Sequence, residues 1–183
     1  TLSFDPSAKT AMDKQEPPAP GADFRVVIVG AGNINFGSDE GPWNHSFRLE
    51  HKLGPRLKVV ALIDPDAERA RRVLKTKCQS FVLSAYKDTV VYPTFKDYMA
   101  SVCAETYPHA VWVGSPPAFR GGTEPGRNLE QLLTAGLPNV PLFIEKPVST
   151  GAVDQTFEVA KMLEQNGSLV SVGYMLRYLK VVQ

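Results

Sequence analysis

FRVVIVGAGNIN at residues 24–35, answered by LKVVALID at residues 57–64, sets the architecture of this chain. Phe24 to Val29 is a short run of β-branched and apolar residues, unbroken from Val26 onward, which suits a parallel strand covered on both faces. Gly30-Ala31-Gly32 follows at once and permits a turn tight enough for backbone N–H groups to approach a pyrophosphate, whose charge is also favoured by the positive end of a following helix. Leu57 to Ile63 reads as a second strand that delivers Asp64 to its C-terminal end, where a carboxylate can accept hydrogen bonds from both hydroxyls of a ribose. Strand, glycine turn, helix, strand and acid together outline a dinucleotide site.

The outline departs from the full G-x-G-x-x-G pattern in two ways. Asn35 stands where the third glycine belongs, and Asp64 lies 34 positions after Gly30 rather than the usual distance of about 20. The excess fits a polar, glycine-bearing insertion at Phe36 to Pro42. On these residues alone, a glycine turn in another kind of α/β protein stays open.

The chain has 183 residues, 43% of them hydrophobic, enough for one core and too few for two full domains. Its 20 basic and 19 acidic residues are scattered, so there is no electrostatic footprint for nucleic acid or an anionic membrane. Cys78 and Cys103 are isolated, which indicates neither a metal site nor a disulfide framework. There is no apolar run of about 18 residues and no hydrophobic signal core, so the expected location is cytoplasmic. Because the sequence begins at Thr1 rather than Met, a preceding leader stays open.

Residues 1–22, rich in proline and poor in apolar side chains, read as a flexible tail. Residues 23–173 read as one α/β domain. A helix through Phe47 and Leu49 to Leu53 stops at Gly54-Pro55, and Asp66 caps a second helix carrying Ala67, Ala70, Val73 and Leu74. A third strand is expected at Thr89 to Tyr92, then a helix with Phe95, Tyr98, Met99 and Val102. A fourth strand, Ala110 to Gly114, ends in Ser115-Pro116-Pro117, and a glycine-rich loop at Phe119 to Arg127 leads to a helix through Leu129, Leu132 and Leu133. A fifth strand, Leu142 to Ile144, ends in Glu145-Lys146-Pro147. A last helix from about Thr150 uses Val153, Phe157, Ala160 and Leu163, before a sixth strand at Leu169 to Gly173. Strands alternating with helices, joined by right-handed crossovers, give a doubly wound parallel sheet, whose ligands lie off the carboxyl ends of the strands. Those ends present Gly30, Gly32, Asn33 and Ile34 from the first turn, then Asp64, Ser115 and Pro116, Glu145 and Lys146, and Arg177 beyond the sixth strand.

The set GAGN, strand-end Asp64, Ser115-Pro116-Pro117, IEKP at 144–147 and VGYMLRY at 172–178 resembles the Gfo/Idh/MocA family of NAD(P)-dependent oxidoreductases. The resemblance runs from about Phe24 to Tyr178, and the EKP triplet is its most specific sign. It implies that Lys146 is the catalytic residue, beside the nicotinamide and the substrate hydroxyl, that Glu145 faces the nicotinamide side of the cofactor, and that Ser115 and Pro116 line its path. Hydride transfer at a carbinol carbon needs a group that accepts or returns the hydroxyl proton, and a lysine serves if partial burial beside a cationic ring disfavours its charge. The alternative for Lys146 is an ion pair with a surface acid.

Asp64 would repel a 2′-phosphate, which favours NAD over NADP; Arg69, Arg71 and Arg72 argue weakly the other way and read better as a solvated helix face. His45, near the start of the first helix, lies close enough to the phosphate turn to touch a ligand but reads better as a surface or capping residue, and His51 and His109 read as structural or solvent-facing. Arg177 either reaches the ligand or fixes the chain after the sixth strand. The resemblance also implies a second α/β domain that builds the substrate pocket and often a dimer interface, so residues 174–183 are expected to begin that domain and the parent protein to be a homo-oligomer. The chain then reads as the cofactor-binding part of an oxidoreductase acting on a sugar, polyol or related small molecule. A competing reading is a sensor similar to galactose-pathway transcriptional repressors, which bind a dinucleotide without hydride chemistry. A methyltransferase would share the GxG and the acid but leaves the EKP triplet unexplained.

Overall fold

A computed structural model describes residues 18–39 and 43–174. The expectations for residues 1–17, for the 175–183 segment and for Arg177 fall outside the described residues.

Six strands form one sheet: β1 (Phe24–Val29), β2 (Leu57–Ile63), β3 (Val90–Tyr92), β4 (Ala110–Val113), β5 (Leu142–Ile144) and β6 (Val170–Val172). Every neighbouring pair is parallel, and the order across the sheet is β3-β2-β1-β4-β5-β6. The chain starts in the middle, works outward to β3, then crosses back to β4 and works outward the other way. This is the expected doubly wound sheet, and its winding reverses between β1 and β4, where such sheets bind their ligands.

The helices are α1 (Asn33–Phe36), α2 (His45–Leu53), α3 (Ala67–Cys78), α4 (Leu83–Tyr86), α5 (Phe95–Met99), α6 (Leu129–Gly136) and α7 (Val153–Gln165). Alternation along β1 divides the core in two. Val26 and Ile28 join Leu57, Val59 and Leu62 beneath Leu49 of α2, Leu74 of α3 and Tyr86 of α4. Val27 and Val29 join Val111, Val113, Leu142 and Ile144 beneath Phe95 and Tyr98 of α5 and Leu133 of α6, with Leu163 of α7 against them. Val26, Val27 and Ile28 are 0–1% exposed, and burial of each contributes roughly 1.5–3 kcal/mol. A register shift between Val26 and Val27 against β2 lets Val60 and Ala61 both turn toward the second face.

Local signals mark the helix starts as expected. Asp66 accepts from Arg69 N at the start of α3, and Thr94 and Asp97 form a reciprocal capping box on α5. Other expectations need correction. The longer helix starts at His45, beyond the insertion as expected, but the turn after Gly32 first enters the four residues of α1, which were not expected and leave only a single helical turn directly behind the glycines. The helix opened by Thr94 ends at Met99 rather than reaching Val102. α7 starts at Val153 because Ser149 Oγ first accepts the Gly151 N–H in a turn. Its expected apolar face is partly outward: Val153 and Phe157 are 70% and 71% exposed, whereas Val159 is buried.

Candidate functional site

The glycine turn leaves β1 at the switch point, and its two glycines answer different demands. Gly30 sits at φ 96°, and a Cβ there would come within 3.0 Å of Ser115 N, so the fold itself requires glycine at this position. Gly32 has φ −80° and ψ 177°, open to any residue, and a Cβ there would meet nothing within 4 Å. Nothing in the fold calls for a glycine at 32. Its side-chain space opens into a groove instead.

Asn35 replaces the third glycine of the fingerprint and is fully buried. Its Nδ2 donates to Gly30 O at 2.7 Å and to Val29 O at 3.1 Å, stitching the end of β1 to α1. A Cβ on Gly114, at the end of β4, would run into this amide. The glycine that fits close packing here has therefore moved from the turn to the neighbouring strand end.

On one side of the turn, Asp64 ends β2 with its side chain 3% exposed. Its Oδ2 accepts from Ala31 N at 2.6 Å, its Oδ1 accepts from Asp66 N at 2.8 Å, and Arg69 Nη2 donates to both oxygens at 2.8 and 3.1 Å. These donors fill the lone pairs that the sequence reserved for a ribose. Arg69 is the movable one, its side chain 44% exposed. The expectation that Arg69 belongs to a solvated face is therefore corrected, while Arg71 and Arg72 are exposed as expected.

On the other side, Arg120 is 1% exposed and ties two strand ends together. Its Nε donates to Ser115 O at 3.1 Å, and its Nη1 donates to Pro147 O at 2.6 Å and Val148 O at 3.0 Å. Burial pushes this guanidinium below its ordinary range, against the pull of Glu130 and Glu145. The next residue, Gly121, donates its N–H to the buried Glu130, whose carboxyl is raised by desolvation.

Glu145 continues from β5 and is buried. One oxygen, Oε2, accepts from Lys146 N at 2.7 Å, and the other, Oε1, lies 2.7 Å from His45 Nε2. Gly173, just past β6, leaves room for this carboxylate, since a Cβ there would press within 2.8 Å of Oε1. Lys146 is exposed and makes no ion pair among the described residues, which removes the surface-pair reading and shows more solvent around the amine than the sequence reading assumed. His45 is neither a surface nor a capping residue: it is 2% exposed, and Asn44 caps α2 instead by accepting from Phe47 N.

Gly30, Gly32, Asn33, Ile34, Asp64, Ser115, Pro116, Glu145 and Lys146 all line one groove of ≈ 370 Å³, joined by Arg69, Gly114, Pro117 and Arg120. The groove crosses the ends of β2, β1, β4 and β5, about 14 Å at three strand spacings. A second, mostly apolar hollow of ≈ 540 Å³ shares Gly30, Asp64, Arg69, Ser115 and Pro116 with it and extends between Phe95, Phe119 and Leu132. The hydroxyl of Ser115 is buried beside both without a hydrogen-bond partner. Together the two hollows form an extended depression, lined by Gly32 and Lys146 in one part and by Phe95, Phe119 and Leu132 in the other. Sequence reasoning noted Asn35 only as a missing glycine, did not foresee the buried pair of His45 with Glu145, and missed Arg120 and Glu130; the His45 pair carries no linear signal because its partner lies 100 positions away.

Comparison with known proteins gives the family and the fold. A family model described as an oxidoreductase family with an NAD-binding Rossmann fold, GFO_IDH_MocA, matches residues 24–174. The uncharacterized protein C12C2.04 of Schizosaccharomyces pombe is 44% identical over 165 residues, covering 89% of this chain and 43% of that protein. The chain thus spans less than half the length of this relative. Among solved structures, the WlbA dehydrogenase of Chromobacterium violaceum, in complex with NADH and UDP-GlcNAcA, superposes with a TM-score of 0.62 at 16% identity, over 92% of this chain and 40% of that one. A super-repressor mutant of Gal80p from Saccharomyces cerevisiae gives 0.61 at 17% identity, over 87% of this chain and 36% of that one. At these identities the two structures share the fold.

Proposed function

Because this chain belongs to the Gfo/Idh/MocA oxidoreductase family and carries its NAD-binding Rossmann domain, we propose that it is the cofactor-binding part of a dehydrogenase. The longer protein would move a hydride between nicotinamide and a hydroxyl-bearing carbon of a sugar, polyol or related compound. The observation that carries this reading is the Lys146 amine, exposed and free of ion pairs among the described residues, at one end of the groove that the glycine turn opens.

The bound cofactor supplies the hydride chemistry. The chain's own residues hold and orient. Gly32 lets the backbone approach the pyrophosphate, and the buried, partnerless Ser115 Oγ becomes a donor to the ligand once its side chain turns into the groove. Arg120 keeps the Ser115 and Pro147 loops at a fixed separation. Glu145 fixes the Lys146 backbone through its amide, and the Lys146 amine takes or returns the substrate hydroxyl proton. A second domain would have to bring substrate and shield the lysine from solvent, lowering its charge.

The proposed cofactor is NAD rather than NADP, because the Asp64 carboxylate would repel a 2′-phosphate brought to the end of β2 with Arg69 swung aside. The dinucleotide-sensor reading draws on the likeness of fold to Gal80p; a proton-transferring lysine has no task in it. Replacing Lys146 by Met in the longer protein separates the two. The dehydrogenase reading expects a loss of turnover of about a hundredfold or more, with NADH affinity within a factor of two of the original. Turnover that survives the change removes the lysine from the chemistry.

A further inference from the structure

His45 and Glu145 come from opposite ends of the domain and meet in its interior. His45 opens α2, Glu145 follows β5, and their side chains are only 3% and 5% exposed. The imidazole is boxed by the indole of Trp112 on β4 and the ring of Phe143 on β5, at ring distances of 5.3 and 5.0 Å, and those two rings stack on each other at 3.9 Å. Arg48, one turn along α2, places Nη1 3.4 Å from His45 Nδ1. A guanidinium only donates, so Nδ1 is the acceptor and Nε2 carries the hydrogen. His45 Nε2–H therefore donates to Glu145 Oε1, and the Lys146 amide donates to Oε2. Both oxygens of Glu145 are acceptors, as an ionised carboxylate requires.

We infer that His45 is a positioning residue whose neutral imidazole aims the Glu145 carboxylate into the groove without cancelling its charge, so that this carboxylate shifts the site's preference toward the oxidised over the reduced dinucleotide. The inference rests on the dinucleotide reading above, with the nicotinamide at the Glu145–Lys146 end. An oxidised nicotinamide ring carries a positive charge and a reduced one does not, so a fixed anion beside it discriminates between them. A protonated His45 would form a neutral pair with Glu145 and abolish that field. Burial holds His45 below its ordinary pKa, against the pull of Glu145 and helped by Arg48. The nearby cations, Arg48, Arg120 and Lys146, act on the charged ring with the opposite sign; they are unchanged in the variants below and so cancel when the wild type is compared with a variant. The apolar box keeps the pair dry, where a charge acts over a longer range.

The test uses the 183-residue chain and two ligands, NAD+ and NADH, with dissociation constants measured by calorimetry at pH 7.5. The quantity read is the ratio of the NADH to the NAD+ constant. Glu145→Gln keeps the shape and removes the charge, and the ratio should fall on the order of tenfold. His45→Leu should lower it about threefold by loosening the carboxylate, and His45→Gln, which retains an N–H near the Nε2 position, should restore it. A purely structural role would weaken both cofactors equally and leave the ratio unmoved, which would overturn the inference. If His45→Leu does not fold, 15N resonances of the wild-type imidazole decide the matter: a neutral Nε2–H tautomer at pH 7.5 supports the inference, and an imidazolium or an Nδ1–H tautomer overturns it. A wild-type chain that binds neither ligand overturns the dinucleotide reading itself. Binding of both with an invariant ratio overturns this inference alone.

Discussion

Changing Asn35 to Gly would give this chain the full three-glycine fingerprint, and the structure predicts that the change harms it. The Asn35 amide is fully buried and donates to the carbonyls of Gly30 and Val29. Val29 O keeps a second partner in Gly114 N, at 2.9 Å, so losing the amide there removes about 1 kcal/mol. Gly30 O is left without its donor inside the protein, a further loss of about 1–2 kcal/mol. Glycine inside the α1 turn costs about 0.5–1 kcal/mol relative to a residue with a side chain. The hollow left against Gly114 adds to this unless the turn collapses. Together these give about 3 kcal/mol, a large share of the 5–15 kcal/mol typical of a domain. Urea denaturation followed by circular dichroism should show the midpoint falling by about 1–1.5 M at a slope near 2 kcal/mol/M. A midpoint unchanged or raised would refute the claim that the amide, rather than its absence, closes the turn.

Other outcomes follow from the same geometry. Asp64→Asn keeps the shape at the end of β2 while removing the charge that, on the proposed reading, would meet a 2′-phosphate and releasing Arg69, so the proposed preference for NADH over NADPH should shrink about tenfold in fluorescence titrations; an unchanged preference would show that the acid does not read the ribose. Stability should also depend on pH through two histidines. Burial holds His45 and His109 below their ordinary value of 6.5, and His109 Nδ1 accepts from Arg25 N at 2.9 Å, which requires it unprotonated. The unfolded chain then binds protons that the folded chain does not, so the stabilisation is present above pH 6.5 and is lost as pH falls through the depressed folded values. Urea midpoints from pH 8 to pH 5 should decline below about 6.5, and His45→Gln should flatten that decline; a midpoint that rises over the same range would contradict the assignment.

The sheet was legible because its strands are continuous apolar runs bounded by turn residues. Val26 to Val29, Val111 to Val113 and Leu142 to Ile144 each pair with neighbours through unbroken backbone ladders, and each is followed by a residue that lines the groove, Gly30, Gly114 and Glu145. The resemblance carried by Glu145-Lys146-Pro147 led to the family that the comparisons established. Polar residues inside the domain were not legible. His45 reads as a capping or surface residue until β5 brings Glu145 to it, and Arg120 reads as part of a glycine-rich loop until Pro147 and Val148 present their carbonyls. In both cases the partners are distant in sequence, and a buried polar group is decided by its partners rather than by its neighbours in the chain. α7 misled for a different reason: its helical periodicity is real, but Val153 and Phe157 lie on a face that nothing among the described residues covers.

The most direct test of the whole account is Gly32→Leu. The backbone at this position suits any residue, and a side chain there meets nothing within 4 Å of its Cβ while entering the groove. The substituted chain should keep the wild-type circular dichroism and urea midpoint and lose saturable NADH fluorescence enhancement by at least a hundredfold in affinity, on the order expected when a side chain occupies the ligand's own volume. NADH affinity equal to that of the wild type, in a chain that folds equally well, would contradict the claim that the groove between Asp64 and Lys146 holds the dinucleotide.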